Sequence, residues 1–120
     1  MKKILIMFFS LILLLSCNNN SNSNGNYKNI VLVQGAMDIE VDTMIASLKD
    51  VKEERYGSWT FFVGTLEGKN GLNKVIVSRT EIGIVNASAA TAIGIEKYKP
   101  TIIINQGTSG GHDINLHSGD

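Results

Sequence analysis

An α/β fold is what this sequence predicts, and three observations carry the prediction. Two short, uncharged, β-branched runs, Asn29 to Gln34 and Thr101 to Ile104, have the character of strands buried on both faces. Helical patterns with one apolar side precede or follow them. The second run opens into Asn105-Gln106-Gly107-Thr108-Ser109-Gly110-Gly111, a small, polar, glycine-rich loop. Open α/β sheets build ligand sites from such loops at the ends of their strands. The plainer reading of the loop is an ordinary glycine-rich turn after a core strand.

The N-terminus reads as an export signal. Lys2 and Lys3 supply its charged start, and Ile4 to Leu15 is apolar apart from Ser10. That core is short for a membrane-spanning helix. It ends in Leu14-Leu15-Ser16-Cys17, which resembles the lipobox of bacterial lipoproteins, where the peptide is cut before an acylated cysteine. The alternative is a plain signal peptide or an uncleaved anchor. Cys17 is the only cysteine of the 120 residues, so no intrachain disulfide can form, and it stands where the cut would fall. Residues 1–16 are therefore expected to be a lipoprotein signal peptide. Residues 17–28, dominated by Asn and Ser, are expected to be a tether, because they bury almost no apolar area. Residues 29–120 form the domain. The lipid would hold it on a bacterial membrane, facing away from the cytoplasm.

Within the domain, Asn29 to Gln34 is the first strand and Gly35-Ala36-Met37 turns the chain. Asp38, Glu40 and Asp42 cluster where a helix begins, and Val41, Met44, Ile45 and Leu48 give that helix an apolar face. Acids in a first turn usually serve the helix dipole, which is the plain reading of all three. Glu53 to Tyr56, Trp59 to Leu66 and Lys74 to Arg79 read as an antiparallel meander. Its turns fall at Gly57-Ser58 and at Gly68 to Asn73, with Asn70-Gly71 as a hairpin signal. Trp59, Phe61 and Phe62 are sheet-face or core aromatics. An alanine-rich helix follows, with Ile93 and the alanines inward and Glu96, Lys97 and Lys99 outward, and Pro100 ends it. Leu116 to Asp120 reads as a turn leading onward, so the chain is expected to be a fragment.

Eleven basic residues balance eleven acidic ones, which argues against a nucleic-acid binder. His112 and His117 are isolated in loop context and read as surface residues. No metal-ligand cluster is present in the sequence.

Three separated stretches have a common resemblance. They are Gly35-Ala36-Met37-Asp38-Ile39-Glu40-Val41, Glu81-Ile82-Gly83-Ile84-Val85-Asn86-Ala87 and Asn105 to Gly111. In order and separation they resemble the N-terminal half of the methylthioadenosine/S-adenosylhomocysteine nucleosidases, of the purine nucleoside and uridine phosphorylase superfamily. The resemblance covers about residues 29 to 120. It implies a three-layer α/β/α sandwich with a mixed central sheet, incomplete in this chain. It also implies hydrolysis of the N-glycosidic bond of an adenine thionucleoside, no cofactor, and a homodimer. By resemblance Glu40 is the carboxylate that holds and activates the attacking water. Ala36 and Met37 lie along the ribose and thioalkyl group, and Ile82 packs against the nucleoside. Thr108 stands near sugar and water, and Ser109 and Gly110 lend backbone contacts. The sequence departs from the family where Glu81 and Ile84 replace a glycine and a lysine, and where Thr108 replaces a serine. The family's ribose-binding Met-Glu pair and its adenine-protonating aspartate lie in the half this chain does not reach. The alternatives are a nucleoside phosphorylase, which would need arginines for phosphate and has only Arg79 nearby, and a non-catalytic nucleoside-binding lipoprotein or inactive fragment.

Overall fold

The computed structural model describes residues 26–117, so the expected signal peptide, Cys17 and most of the expected tether lie outside the described residues. Ile30–Gly35 forms β1, with branched or apolar residues at its first four positions. It runs inside the sheet and hydrogen-bonds on both edges, so neither edge is open. The chain continues through α1 (Asp38–Ser47), β2 (Lys49–Tyr56), β3 (Trp59–Gly68), β4 (Gly71–Arg79), α2 (Ile84–Tyr98) and β5 (Ile102–Asn105). The five strands lie in the order β2-β3-β4-β1-β5. β1 pairs in parallel with β4 and with β5, and β2, β3 and β4 form the expected antiparallel meander.

The two meander turns fall close to their sequence signals. Tyr56 pairs with Trp59 around Gly57-Ser58, and Gly57 takes a φ of 61°. At the second turn Gly68 pairs with Gly71, so the loop is Lys69-Asn70 rather than Asn70-Gly71. The backbone needs its positive φ of 120° at Gly71, the first residue of the returning strand. β2 begins four residues before the expected Glu53, at Lys49, with an irregularity between Lys49 and Lys52 and Asp50 at a φ of 54°. Its outer edge is polar because no described strand lies beyond it.

Alternation along the strands sorts the core into two layers. Val33, Val75 and Val77 point to one face and meet Val41 and Leu48 beneath α1, with Met44 and Ile45 packed against them. Leu32, Ile76 and Phe61 point to the other face and meet Tyr98 of α2, with Trp59 and Ile93 at the margin. A mixed sheet with a helix on each side is thus the α/β/α arrangement. On α2 the residues buried against the sheet are Ala90, Gly94 and Tyr98, one helical turn apart. Gly94 is small by necessity, since a Cβ there would lie 2.7 Å from Cδ2 of Leu32. Lys99 leaves the helix in the left-handed region, and Pro100 follows.

One sequence expectation changes. The run Thr101 to Ile104 reads as buried on both faces, yet Ile102, Ile103 and Ile104 are 44–46% exposed. β5 pairs only with β1, and among the described residues nothing covers its far edge. A fully buried pattern needs a neighbour on each side as well as a layer on each face.

Candidate active site

β1, β4 and β5 are mutually parallel, so their C-terminal ends gather at one rim of the sheet. The connection from β1 goes to α1 on one face. The connection from β4 goes to α2 on the other face and returns as β5. A crevice opens where successive connections part to opposite faces. It is a cleft of about 330 Å³ whose lining includes Ala36, Glu40, Thr80, Glu81, Gln106 and Thr108.

The turn from β1 to α1 is tight. A Cβ on Gly35 would lie 2.7 Å from Cγ1 of Val41 and 3.2 Å from Cβ of Glu40. Met37 occupies the cap position, and its side chain carries no oxygen to satisfy the first N–H groups of the helix. Glu40, three residues on, reaches back instead to the N–H groups of the cap residue and of the residue before it. Its Oε2 accepts the N–H of Ala36 at 2.8 Å and that of Met37 at 3.0 Å. This is the return half of a capping box, and it fixes the carboxylate at the mouth of the strand end.

The glycine-rich loop meets the same carboxylate from the far side. Thr108 donates its N–H to Oε1 of Glu40 at 2.9 Å and its hydroxyl to the same oxygen at 3.2 Å. Gly107 makes the approach possible, because a Cβ there would sit 2.8 Å from Oε1. The Thr108 N–H, then the Met37 and Ala36 N–H groups, hold the Glu40 carboxyl below the usual carboxylate range against a smaller opposing effect of desolvation. Glu40 is therefore an anion across the whole physiological range.

The third wall is the β4–α2 connection. Thr80 donates its N–H to the carbonyl of Gly35 at 2.9 Å, tying the end of β4 to the end of β1. Glu81 and Gly83 then take φ values of 66° and 105° before α2 begins. A glycine suits the second position; at the first, Glu81 holds an angle unusual for a side-chain-bearing residue. Arg79 turns away from the phosphate role that sequence left open. It pairs with Asp38 at 2.7 Å and lies over the ring of Phe62.

Ala36, Glu40 and Thr108 thus meet in one cleft, and Met37 contributes its backbone N–H. Ile82 does not join them: it is 71% exposed, in the turn ahead of α2. Ser109 and Gly110 are also exposed, and nothing lies within 4 Å of a Cβ position on Gly110. Asp38 and Asp42 stay outside the cleft lining. Sequence reasoning missed Thr80, which follows the last strand residue, and Gln106, which is hidden in the glycine-rich motif without a role of its own. His112 and His117 are exposed. Among the described residues no group of three or more His, Cys, Asp or Glu could hold a metal ion.

Residues 30–120 match the Phosphorylase superfamily. The chain belongs to that superfamily. Its relatives include a 5'-methylthioadenosine/S-adenosylhomocysteine nucleosidase of Halalkalibacterium halodurans, 40% identical over 86 residues. Another, from Shewanella loihica, is 45% identical over 86 residues. Each match covers 72% of this chain and 36% of the relative, so the chain spans about a third of the length of these superfamily members. Among solved structures, the nucleosidase of Colwellia psychrerythraea in complex with adenine superimposes with a TM-score of 0.68 at 34% identity. It covers 77% of this chain and 36% of that one. The Neisseria meningitidis enzyme in complex with methylthio-immucillin-A gives 0.66 at 32%, covering 73% and 36%. The mixed five-stranded sheet with its two helices is the corresponding part of the superfamily fold.

Proposed function

We propose that the protein hydrolyses the N-glycosidic bond of 5'-methylthioadenosine or S-adenosylhomocysteine and releases adenine. The observation that carries the reading is the Glu40 carboxylate, fixed and ionised at an open cleft on the rim of the sheet. The relatives named above, with their adenine and nucleoside-analogue complexes, supply the substrate class. Loss of adenine leaves positive charge on the sugar at C1′, and water attacks the face opposite the departing base. Glu40 orients that water and accepts its proton, and the departing adenine takes up a proton as the bond to C1′ breaks, so that water is divided between sugar and base. Of the four hydrogen bonds on its carboxylate, the one from the Thr108 hydroxyl is the longest, so it yields most readily to a water on Oε1. Ala36 and Met37 flank the ribose and thioalkyl group, Ile82 packs against the nucleoside, and Ser109 and Gly110 offer backbone groups to it. The bound nucleoside would have to draw these last three toward the cleft.

Hydrolysis is favoured over phosphorolysis on electrostatic grounds. Glu40 and Glu81 both line the cleft, and Arg79 is engaged by Asp38. A phosphate entering there would meet two carboxylates and no free guanidinium. The deciding assay is adenine release from methylthioadenosine by the protein as isolated from its host, with and without phosphate. Release independent of phosphate is expected. Strict dependence on phosphate would assign a phosphorylase, and absence of release with retained nucleoside binding would assign a binding protein.

We further propose, from the Leu14-Leu15-Ser16-Cys17 stretch, that an acylated Cys17 anchors the protein on a bacterial membrane, and, from the family resemblance, that it acts as a homodimer. Fatty-acid labelling should tag the protein, and Cys17→Ala should abolish the tag. Labelling that survives the substitution would remove the anchor from the proposal.

A further inference from the structure

Glu40 is gripped through its backbone as well as its side chain. The side-chain amide of Gln106 donates through Nε2 to the main-chain carbonyl of Glu40, 66 positions away in sequence. A helix carbonyl has a second lone pair, so this bond adds to the helical one instead of replacing it. The backbone of Gln106 is itself fixed, its N–H donating to the carbonyl of Gln34 at 2.9 Å as the last rung beyond β5. Three chain segments therefore meet at one residue: its N–H ties the end of β1, its side-chain amide ties the first turn of α1, and it opens the glycine-rich loop.

We propose that Gln106 is a positioning residue for Glu40, locking the glycine-rich loop to α1 so that Thr108 stays on the carboxylate. The proposal rests on the hydrolytic reading of the site for its catalytic meaning, though its geometry stands apart from that reading. The geometry requires such a lock. Gly107 has no side chain to hold it, and residues 107–111 are exposed. Without Gln106, only the two bonds from Thr108 would tether this loop to Glu40. Gln106 is half-buried and reaches the helix from the strand end, so it sets the distance between the two elements. A shift of the loop away from α1 would leave Oε1 without its donors and let the carboxylate swing off the line to the substrate. Position at this level decides rates, because a misplacement of about 1 Å can cost a hundredfold.

The test is Gln106→Met in the full chain. Methionine keeps the length and removes the donor. Hydrogen exchange, resolved to single residues by mass spectrometry, is read at the Thr108 amide and, as controls, at Val33 and Ile76 in the core. We expect the Thr108 amide to exchange about tenfold faster, the effect of one lost hydrogen bond, with the controls unchanged. Unchanged exchange at Thr108 in a folded variant would overturn the proposal. If the variant does not fold, the unsubstituted chain decides by NMR: the Gln106 side-chain NH2 should be protected along with the Thr108 amide, and a freely exchanging NH2 beside a protected Thr108 would overturn the proposal equally. In the protein that releases adenine, Gln106→Met should lower kcat and leave KM nearly unchanged, whereas a raised KM with intact kcat would overturn the positioning role. Because exchange needs no turnover, loss of the hydrolytic reading and loss of the Gln106 lock give different results.

Discussion

Thr108 holds Glu40 twice, by its N–H at 2.9 Å and its hydroxyl at 3.2 Å, both on Oε1. Ala36 and Met37 hold the other oxygen. An ionised carboxylate offers about four acceptor positions, and here four donors face them. Glu40→Gln is therefore not a silent replacement. Whichever way the amide is turned, its NH2 faces a backbone N–H. We expect adenine release to fall by about two to four orders of magnitude, the usual loss for one positioned acid–base group. We also expect the Thr108 amide to lose protection in the same variant. Near-normal turnover would reduce Glu40 to a helix-start residue.

The same four donors set a pH dependence. They lower the folded-state pKa of Glu40 relative to its unfolded value. The anchoring of the loop is thus fully present above the ordinary glutamate value of about 4.3, and is lost as pH falls through the lower folded value. Protection of the Thr108 amide should persist at pH ~4.3 and disappear only below it. The acid limb of kcat/KM should lie equally low. A limb centred near pH 6 would mean that some other group is the base.

Gly107→Ala tests the close approach directly. The added methyl would be placed 2.8 Å from Oε1 of Glu40, inside van der Waals contact, so loop or carboxylate must move. Gly107 is exposed at the rim of the sheet, and the core has no stake in it. Overpacking at well-ordered sites costs about 1–3 kcal/mol, and here most of it should fall on the loop. The expected outcome is a melting temperature within a few degrees of the parent, with adenine release reduced at least tenfold. Full activity would show that the loop is free to retreat without consequence.

Much of this arrangement is legible in the sequence, for physical reasons that differ by element. β1 and the meander strands carry their own patterns, because alternation and branching answer to faces already fixed by neighbours in the chain. Glu40 and Thr108 could be paired only by resemblance, since 68 residues separate them and no local pattern links them. Gln106 was invisible. A glutamine beside a glycine-rich turn has no periodicity, and its meaning lies in a contact to a backbone oxygen. The exposure of β5 was equally hidden, because an isoleucine run records which surroundings a strand suits and not which strands flank it. Ile82, Ser109 and Gly110, carried over by resemblance, stand outside the cleft lining for a related reason. Ile82 lies in the turn ahead of α2, and Ser109 and Gly110 lie past the last loop residue that bonds Glu40, so all three are exposed.

Tyr98 offers a test remote from the site. Its hydroxyl donates to Oε2 of Glu54 at 2.8 Å, and Tyr56 donates to the same oxygen at 3.0 Å. Burial first, then the bond and the charge of Glu54, push the Tyr98 phenol well above its ordinary value. Its folded pKa exceeds its unfolded one, so its contribution is complete below about pH 10 and lost as pH rises beyond that. Tyr98→Phe should cost about 1 kcal/mol at neutral pH, because Tyr56 remains on Glu54. It should also flatten the alkaline fall in melting temperature above pH ~10. An unchanged alkaline slope would place the sensitive group elsewhere.

The last prediction concerns β5. Ile102, Ile103 and Ile104 are nearly half exposed, and among the described residues the outer edge of their strand has no neighbour. Natural edges are usually protected by a lysine, a proline, a bulge or a cover, and the four residues of β5 contain neither charge nor proline. Such an edge offers unpaired backbone groups and apolar side chains together, which favours pairing with another strand. Residues 27–120 alone should therefore self-associate at micromolar concentration. Ile103→Lys should shift sedimentation toward the monomer mass. Ile103 pairs with Leu32 in register, on the face beneath α2, and its partial exposure lets a lysine carry its charge to solvent without entering the core. The substitution should lower the melting temperature by only a few degrees, because the apolar stem of lysine can cover the half of the site that Ile103 packs while its charge stays in solvent. A monomeric parent at the same concentration, with a sharp cooperative melt, would show that the edge is not sticky. Association undiminished in Ile103→Lys would move the contact to the exposed Ile82, Ile84 and Val85 near the cleft.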